Sequence, residues 1–274
     1  MYNHSMNTTD DNMKNSEKPV GFFDSGVGGI SVLKTAYCLM PDEHYIYYGD
    51  NLNAPYGEKS EEEIKALSLA AGAFLFSKGV KAIVVACNTA TSAAIKMMRE
   101  RFNLPVISME PAVKPALTAL KGGKVLVLAT AATVTQARYL ELIERLDAHD
   151  KVISVGCGGL VELIEDGCTD EASIHGYLEK KLAFLQDERI DAVVLGCTHY
   201  SFAEKPIKSY IDRMFSTDCP VFDGRHGTAR HLQHVLEEEG LHCIGGKGSI
   251  EFFTSKPDYP VEHFQTIFNN FRAE

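Results

Sequence analysis

Two stretches of the chain share one pattern. Lys81-Ala82-Ile83-Val84-Val85-Ala86-Cys87 and Asp191-Ala192-Val193-Val194-Leu195-Gly196-Cys197 each run through small and β-branched apolar residues and stop at a cysteine. Polar residues follow at once, Asn88-Thr89 in the first case and Thr198-His199 in the second. A short continuous apolar run that ends this sharply reads as a parallel strand buried on both faces. The rest of the chain fits that frame. Apolar runs at 19–23, 45–48, 105–109, 124–129, 152–155, 220–222 and 249–254 predict further strands. Segments with helical spacing lie between them, at about 30–37, 60–78, 89–101, 134–147, 160–164, 170–187, 202–214, 225–239 and 260–271. Ser60 and Glu63 are spaced as a capping box for the second of these helices. Thr89 or Thr91 is placed to cap the third, and Thr130 to Thr133 reads as a loop.

Strand and helix alternate throughout, which predicts an α/β protein. The expected architecture is two similar doubly wound domains, mainly parallel and related by a pseudo-twofold, with the active site between them. The pattern restarts near Pro111. We therefore expect a first domain of residues 19–112 plus 224–274, a second of 113–223, and a tail at 1–18. In sheets of this kind ligands sit beyond the carboxyl ends of the strands. Both cysteines are thus expected at the binding crevice, on opposite sides of one ligand.

Composition narrows the classes. Residues 1–18 are mostly polar and lack the apolar core of a signal peptide. No apolar run approaches the length needed to span a bilayer. The net charge is −10, which disfavours a nucleic-acid surface but not a small anionic substrate. The seven cysteines are odd in number and contain no Cys-x-x-Cys pair. Free thiols in a reducing cytoplasm are the expectation. The glycine-rich Asp24-Ser25-Gly26-Val27-Gly28-Gly29 joins a strand to a helix. It is neither a dinucleotide fingerprint nor a P-loop, yet its amides could approach an anionic group at the helix start.

Two thiols at matching strand ends suit one reaction in particular, the inversion of a carbon centre. One thiolate removes a proton from one face and the other thiol delivers a proton to the opposite face. At pH 7 a free thiol is only about 3% thiolate, a cost of roughly 2 kcal/mol, so neighbouring groups must help. A metal site at Cys197 and His199 would have only two ligands close in sequence. No residue requires a pyridoxal cofactor, and a binding protein without turnover is the alternative from a different class.

Four motifs carry a resemblance. Phe23-Asp24-Ser25-Gly26-Val27-Gly28-Gly29, Pro55-Tyr56-Gly57, Ala86-Cys87-Asn88-Thr89-Ala90 and Gly196-Cys197-Thr198-His199-Tyr200 are similar to those of the glutamate racemases, in the same order, within the wider aspartate/glutamate racemase superfamily. The resemblance covers roughly residues 19 to 240. It implies a cofactor-independent racemase interconverting L- and D-glutamate and supplying D-glutamate for peptidoglycan. It also implies a cytoplasmic homodimer with no metal, nucleic-acid or membrane partner. By the same resemblance Cys87 takes the α-proton of D-glutamate, assisted by Asp24, and Cys197 that of L-glutamate, assisted by His199. Asp24, Ser25, Tyr56, Gly57, Asn88, Thr89, Thr130, Thr133, Thr198, His199 and Glu165 are the implied substrate-binding residues. An aspartate racemase is the sibling alternative. The chain departs from the family pattern at Ser201, where proline is usual, at Gln136 and Gly224, where serine is usual, and at Asn51-Leu52-Asn53, which lacks an arginine.

Overall fold

The structure, a computed structural model, describes residues 15–215 and 218–273. Residues 1–14 of the expected tail lie outside the described residues. The elements run β1 (Val20–Asp24), α1 (Ile30–Leu39), β2 (His44–Gly49), α2 (Glu61–Ser77), β3 (Ala82–Val85), α3 (Asn88–Arg101), β4 (Val106–Ser108) and α4 (Val113–Leu117). They continue with β5 (Lys124–Ala129), α5 (Ala131–Thr135), α6 (Ala137–Arg145), β6 (Val152–Gly156), α7 (Leu160–Glu165), α8 (Glu171–Leu182) and β7 (Ile190–Gly196). A 3₁₀ turn (Thr198–Ala203) leads into α9 (Glu204–Phe215), β8 (Val221–Asp223), α10 (Arg225–Glu238), β9 (Ser249–Thr254) and α11 (Val261–Asn270).

The strands form two sheets, ordered β4-β3-β1-β2-β9 and β6-β5-β7-β8, and their pairings are parallel. Read from the other edge, the second sheet is β8-β7-β5-β6, which repeats β4-β3-β1-β2 strand for strand. The two cysteine strands, β3 and β7, therefore hold the same place, each beside the first strand of its sheet. This is the α/β architecture that the alternation predicts.

Each sheet is covered on both faces, and the alternation of side chains along the strands explains how. In the first sheet Phe22, Tyr45 and Val84 face Leu33, Leu232 and Phe264. Their sequence neighbours Phe23, Ile46 and Val85 face Ile64, Leu75 and Met98 on the other side. In the second sheet Leu128 and Leu195 meet Ile174 and Leu178, while Val127 and Val194 meet Tyr139 and Leu142. Each such fully buried aliphatic side chain contributes about 2 kcal/mol relative to an exposed one. The valine runs are continuous because neither face sees water.

The expected capping box is present. The Ser60 hydroxyl accepts from the Glu63 backbone N–H, and the Glu63 carboxylate accepts from that of Ser60. Elsewhere the structure corrects the expectation. Cys87 itself, not Thr89 or Thr91, is the N-cap of α3, with its sulfur accepting from Ala90 N–H at 3.4 Å. Thr130 to Thr133 is not a loop: Thr130 caps α5 and accepts from Thr133 N–H at 3.2 Å. The helix expected at 134–147 is broken at Gln136, whose extended backbone (ψ 143) separates α5 from α6. The short helix α4 was not expected: five residues show no clear helical period, and Pro115 sits in its first turn, where proline is tolerated.

A buried ion pair ties the starts of β3 and β2 together across β1. Lys81 Nζ lies 2.5 Å from Glu43 Oε2, with both side chains almost wholly excluded from solvent. Lys81 also donates to the Ser16 carbonyl at 2.6 Å, and the other Glu43 oxygen accepts from Cys243 N–H at 2.8 Å. Removing one partner strands a buried charge. Lys81→Met is expected to lower the unfolding free energy by about 3–5 kcal/mol, read from urea denaturation. Pairing it with Glu43→Leu should recover most of that loss.

Candidate active site

Strand register delivers the site. Phe23 pairs with Val85 across β1 and β3, so the residues just beyond, Ser25 and Cys87, emerge side by side. Ala129 pairs with Gly196 across β5 and β7, which sets Thr130 next to Cys197 in the same way. Both thiols, with Ser25, Pro55, Tyr56, Gly57, Asn88, Thr89, Thr130, Val161, Thr198 and His199, line one small, nearly closed cavity of about 10 Å³ between the two sheets. That is about the room of one water, so an amino-acid substrate has to widen it.

The two thiols have different neighbours. The Cys87 thiol donates to Ser25 Oγ at 3.6 Å. Its place at the start of α3 favours a thiolate, but burial outweighs this. Burial, reinforced by the negative charge of Asp24, pushes the thiol up to about 12. At neutral pH Cys87 therefore carries its proton. Cys197 instead lies 3.9 Å from His199 Nδ1, and His199 Nε2 lies 2.8 Å from Glu165 Oε1. Burial works against a charged imidazole here. The hydrogen bonds to Cys197 and Glu165 overcome it and hold the ring's pKa well above its usual value. Burial likewise opposes ionised Glu165, yet the bond and charge of His199 keep its carboxyl below the ordinary range. An imidazolium has donors on both nitrogens, so His199 can point one at the carboxylate and one at the sulfur.

Asp24 is completely buried. Its Oδ1 accepts from Gly26 N–H at 3.0 Å and its Oδ2 from Thr198 Oγ–H at 3.1 Å, a bond between the two halves. Burial raises its pKa, and the nearby charge of His199 pulls in the opposite direction. The glycine-rich turn is thus occupied by the protein's own carboxylate. The N–H groups of Ile30, Ser31 and Val32 are also spent on the carbonyls of Val27, Gly28 and Gly29. The amides of Gly26 and of these three residues are therefore not free for an anion. The glycines serve close packing instead. A Cβ on Gly28 would lie 2.3 Å from Thr198 Oγ1 and 2.5 Å from His199 Nδ1, and one on Gly26 would lie 2.5 Å from Glu165 Oε1. The first half's turn presses directly on the second half's histidine.

The polar wall of the cavity joins the halves again. The hydroxyls of Thr89, Thr130 and Thr133 form a triangle with sides of 2.9, 3.2 and 2.9 Å. Asn88 is the exception to saturation: its amide nitrogen and oxygen are both buried without a hydrogen-bond partner. An unpaired buried amide costs about 1–3 kcal/mol per group, and a ligand with both donors and acceptors would relieve it. Tyr56 lines the cavity while its hydroxyl donates to Asp50 Oδ2 at 2.6 Å.

The chain as a whole resembles known proteins. Residues 32–232 match the Asp/Glu/Hydantoin racemase model. The chain belongs to this racemase family. A glutamate racemase of Clostridium botulinum is 44% identical over 250 residues, covering 91% of this chain and 96% of that protein. Among solved structures, a glutamate racemase isoform of Bacillus anthracis superposes with TM-score 0.81 at 31% identity, covering 94% of this chain and 96% of that one. The glutamate racemase of Francisella tularensis, solved with D-glutamate, gives TM-score 0.81 at 27% identity with the same coverage.

In this racemase-family chain most of the residues expected at the site meet around one cavity. Asp24, Thr133 and Glu165 stand one layer behind it, bonded to residues that line it. Pro55 and Val161 line it without having been singled out as site residues. Pro55 lay inside a quoted motif. Val161 gave no signal, since an apolar residue on a short helix reads as core. Tyr47 was also missed; its hydroxyl donates to the Gly26 carbonyl at 2.7 Å and props the glycine turn. All seven cysteines are free. Among the described residues no group of three or more His, Cys, Asp or Glu is arranged to hold a metal ion, and no helix is long and apolar enough to cross a membrane.

The raised pKa of His199 has a measurable consequence. Its ring protons should titrate by NMR well above the ordinary value of about 6.5, and Glu165→Gln should bring the midpoint down. A histidine with a raised folded pKa stabilises the fold fully below its unfolded pKa and loses that contribution as pH rises through the folded value. The stability gap between wild type and Glu165→Gln should therefore narrow as pH climbs through the wild-type midpoint. An unchanged midpoint in the variant would remove Glu165 from the relay.

Proposed function

We propose that this chain is a glutamate racemase that inverts the α-carbon with two thiols and no cofactor, and that Cys87 and Cys197 are those thiols. The observation that carries the reading is the single cavity lined by two buried cysteines from equivalent strands of two matching sheets. The D-glutamate in the Francisella relative and the names of the clostridial relatives support glutamate over aspartate.

The unequal neighbours suit the two thiols to different roles. Cys197, hydrogen-bonded to His199, is the base that removes the proton of L-glutamate. Cys87, protonated, is the acid that delivers a proton to the opposite face and yields D-glutamate. For the reverse reaction the protonation states exchange. Cys87 must then give up its proton beside Asp24. The substrate's ammonium group, entering near Asp24, would offset the negative charge that holds that proton in place. Asn88 supplies a donor and an acceptor to the substrate, and Ser25, Thr89, Thr130 and Thr198 supply hydroxyls. Asp24, Thr133 and Glu165 act by holding these groups. The deprotonated carbon has no electron sink, so charge develops toward the α-carboxylate and fixed donors there give the main electrostatic help.

The same reading assigns the protein to D-glutamate supply for peptidoglycan, in the cytoplasm and as a homodimer. It treats residues 19–112 with 224–274 as one lobe and 113–223 as the other, a division that the membership of the two sheets supports.

The test is polarimetry with purified protein. L-Glutamate should lose its rotation completely, and aspartate should react far more slowly. Cys87→Ala and Cys197→Ala should each abolish racemisation in both directions, since each direction uses both thiols. A single variant that kept full turnover would refute the assignment, and a chain without any inversion would be a binder on the racemase fold.

A further inference from the structure

Two departures from the family pattern, Ser201 and Gly224, meet in space. Ser201 lies in the 3₁₀ turn that also carries Thr198 and His199, and its hydroxyl donates to Asp223 Oδ2 at 3.4 Å. Asp223 ends β8 in the second sheet, and Gly224 follows it directly. A Cβ on Gly224 would fall 2.7 Å from the Glu110 carbonyl oxygen, so here the chain's return to the first sheet runs hard against its outward crossing.

Arg225 holds this junction together. Its side chain is 7% exposed. Its Nε donates to Asp223 Oδ2, its backbone N–H donates to Asp223 Oδ1 at 2.9 Å, and its outer guanidinium nitrogen donates to Glu204 Oε2 at 2.8 Å. Glu204 begins α9, immediately after the turn that bears His199. The guanidinium also stands 5.1 Å from the ring centre of Phe271, beyond α11. One buried cation therefore grips both ends of the segment from Ser201 to Glu204. It does so from a helix whose apolar face packs on the other sheet.

We propose that Arg225 is a positioning residue for the Cys197 side of the site. It fixes the 3₁₀ turn through Asp223, Ser201 and Glu204, and so sets the distance from His199 to Cys197. A planar fork with several fixed donors suits this task, because it meets two carboxylates at once and leaves little rotational freedom. Cys87 stands at the start of α3, one step removed from this turn, which it reaches through Asp24 and its bond to Thr198. Loosening Arg225 should thus disturb Cys197 far more than Cys87.

The inference rests on the two-thiol reading. Racemisation itself cannot show the asymmetry, because enantiomers are equal in free energy and kcat/KM is the same in both directions. A half-reaction can. With 3-chloroglutamate, removal of the α-proton expels chloride from the adjacent carbon. The resulting enamine hydrolyses to 2-oxoglutarate and ammonia, so no second proton delivery is required. The L enantiomer reports Cys197 and the D enantiomer reports Cys87. In Arg225→Met the L-side elimination should fall about tenfold and its pH profile should move, while the D-side rate stays within about twofold. Arg225→Lys should lie between wild type and Arg225→Met. Equal losses on both sides, or no loss, in a protein with wild-type circular dichroism would overturn the proposal. Glu204→Gln removes half the grip at a partly exposed position and decides the matter should Arg225→Met not fold. It should show the same one-sided loss, and a symmetric or absent effect would again overturn it. A wild-type protein that eliminates chloride from neither enantiomer would overturn the two-thiol reading itself.

Discussion

The hydrogen bond from Thr198 to Asp24 is the contact on which the site depends. It joins a fully buried carboxylate at the end of β1 to the first residue after the second cysteine. A carboxylate without water is costly unless donors surround it, and the two identified at its oxygens come from opposite halves, Gly26 and Thr198. Satisfying Asp24 therefore requires the halves to close on one another. The glycines of the turn make the closure tight enough, since a side chain at Gly28 would collide with Thr198 and His199. Once closed, the same seam brings Cys87 and Cys197 to one cavity and stacks Thr89 against Thr130 and Thr133.

A repeated scaffold carries unequal chemistry. The strand order repeats between the sheets, and each thiol follows a strand in the same position. What differs is the polar residue beside it. Cys87 is buried beside the negative charge of Asp24, so it keeps its proton. Cys197 has an imidazolium backed by a carboxylate. The repeat provides two matched platforms, and their polar surroundings make the two thiols unequal. The active site proposed here needs both properties, since a single chiral carbon presents two faces that are not alike.

Much of this was legible in the sequence because the relevant forces are local or periodic. Valine runs ending in cysteine mark buried parallel strands, and Ser60 with Glu63 marks a helix start, independently of anything distant. The break at Gln136 and the short helix around Pro115 were not legible, because five-residue helices are too short to show a helical period. At the glycine turn the sequence shows amides that could meet a ligand, but not that Asp24, a residue of the same motif, takes the one on Gly26. Val161 and Arg225 left no trace at all. An apolar residue on a helix and an arginine after a strand are ordinary in sequence, and only the closure of the two sheets gives them their neighbours.

The central claim is that the two thiols work from opposite faces, one removing a proton and the other supplying one. Racemisation of L-glutamate in heavy water, stopped early, tests it most directly. The thiol that donates exchanges with solvent, so the D-glutamate formed should carry deuterium at the α-carbon. The L-glutamate recovered should remain unlabelled, because the base that removed its proton is not the group that delivers the new one. Deuterium appearing in recovered L-glutamate as fast as in product would show a single base serving both faces, and would contradict the account.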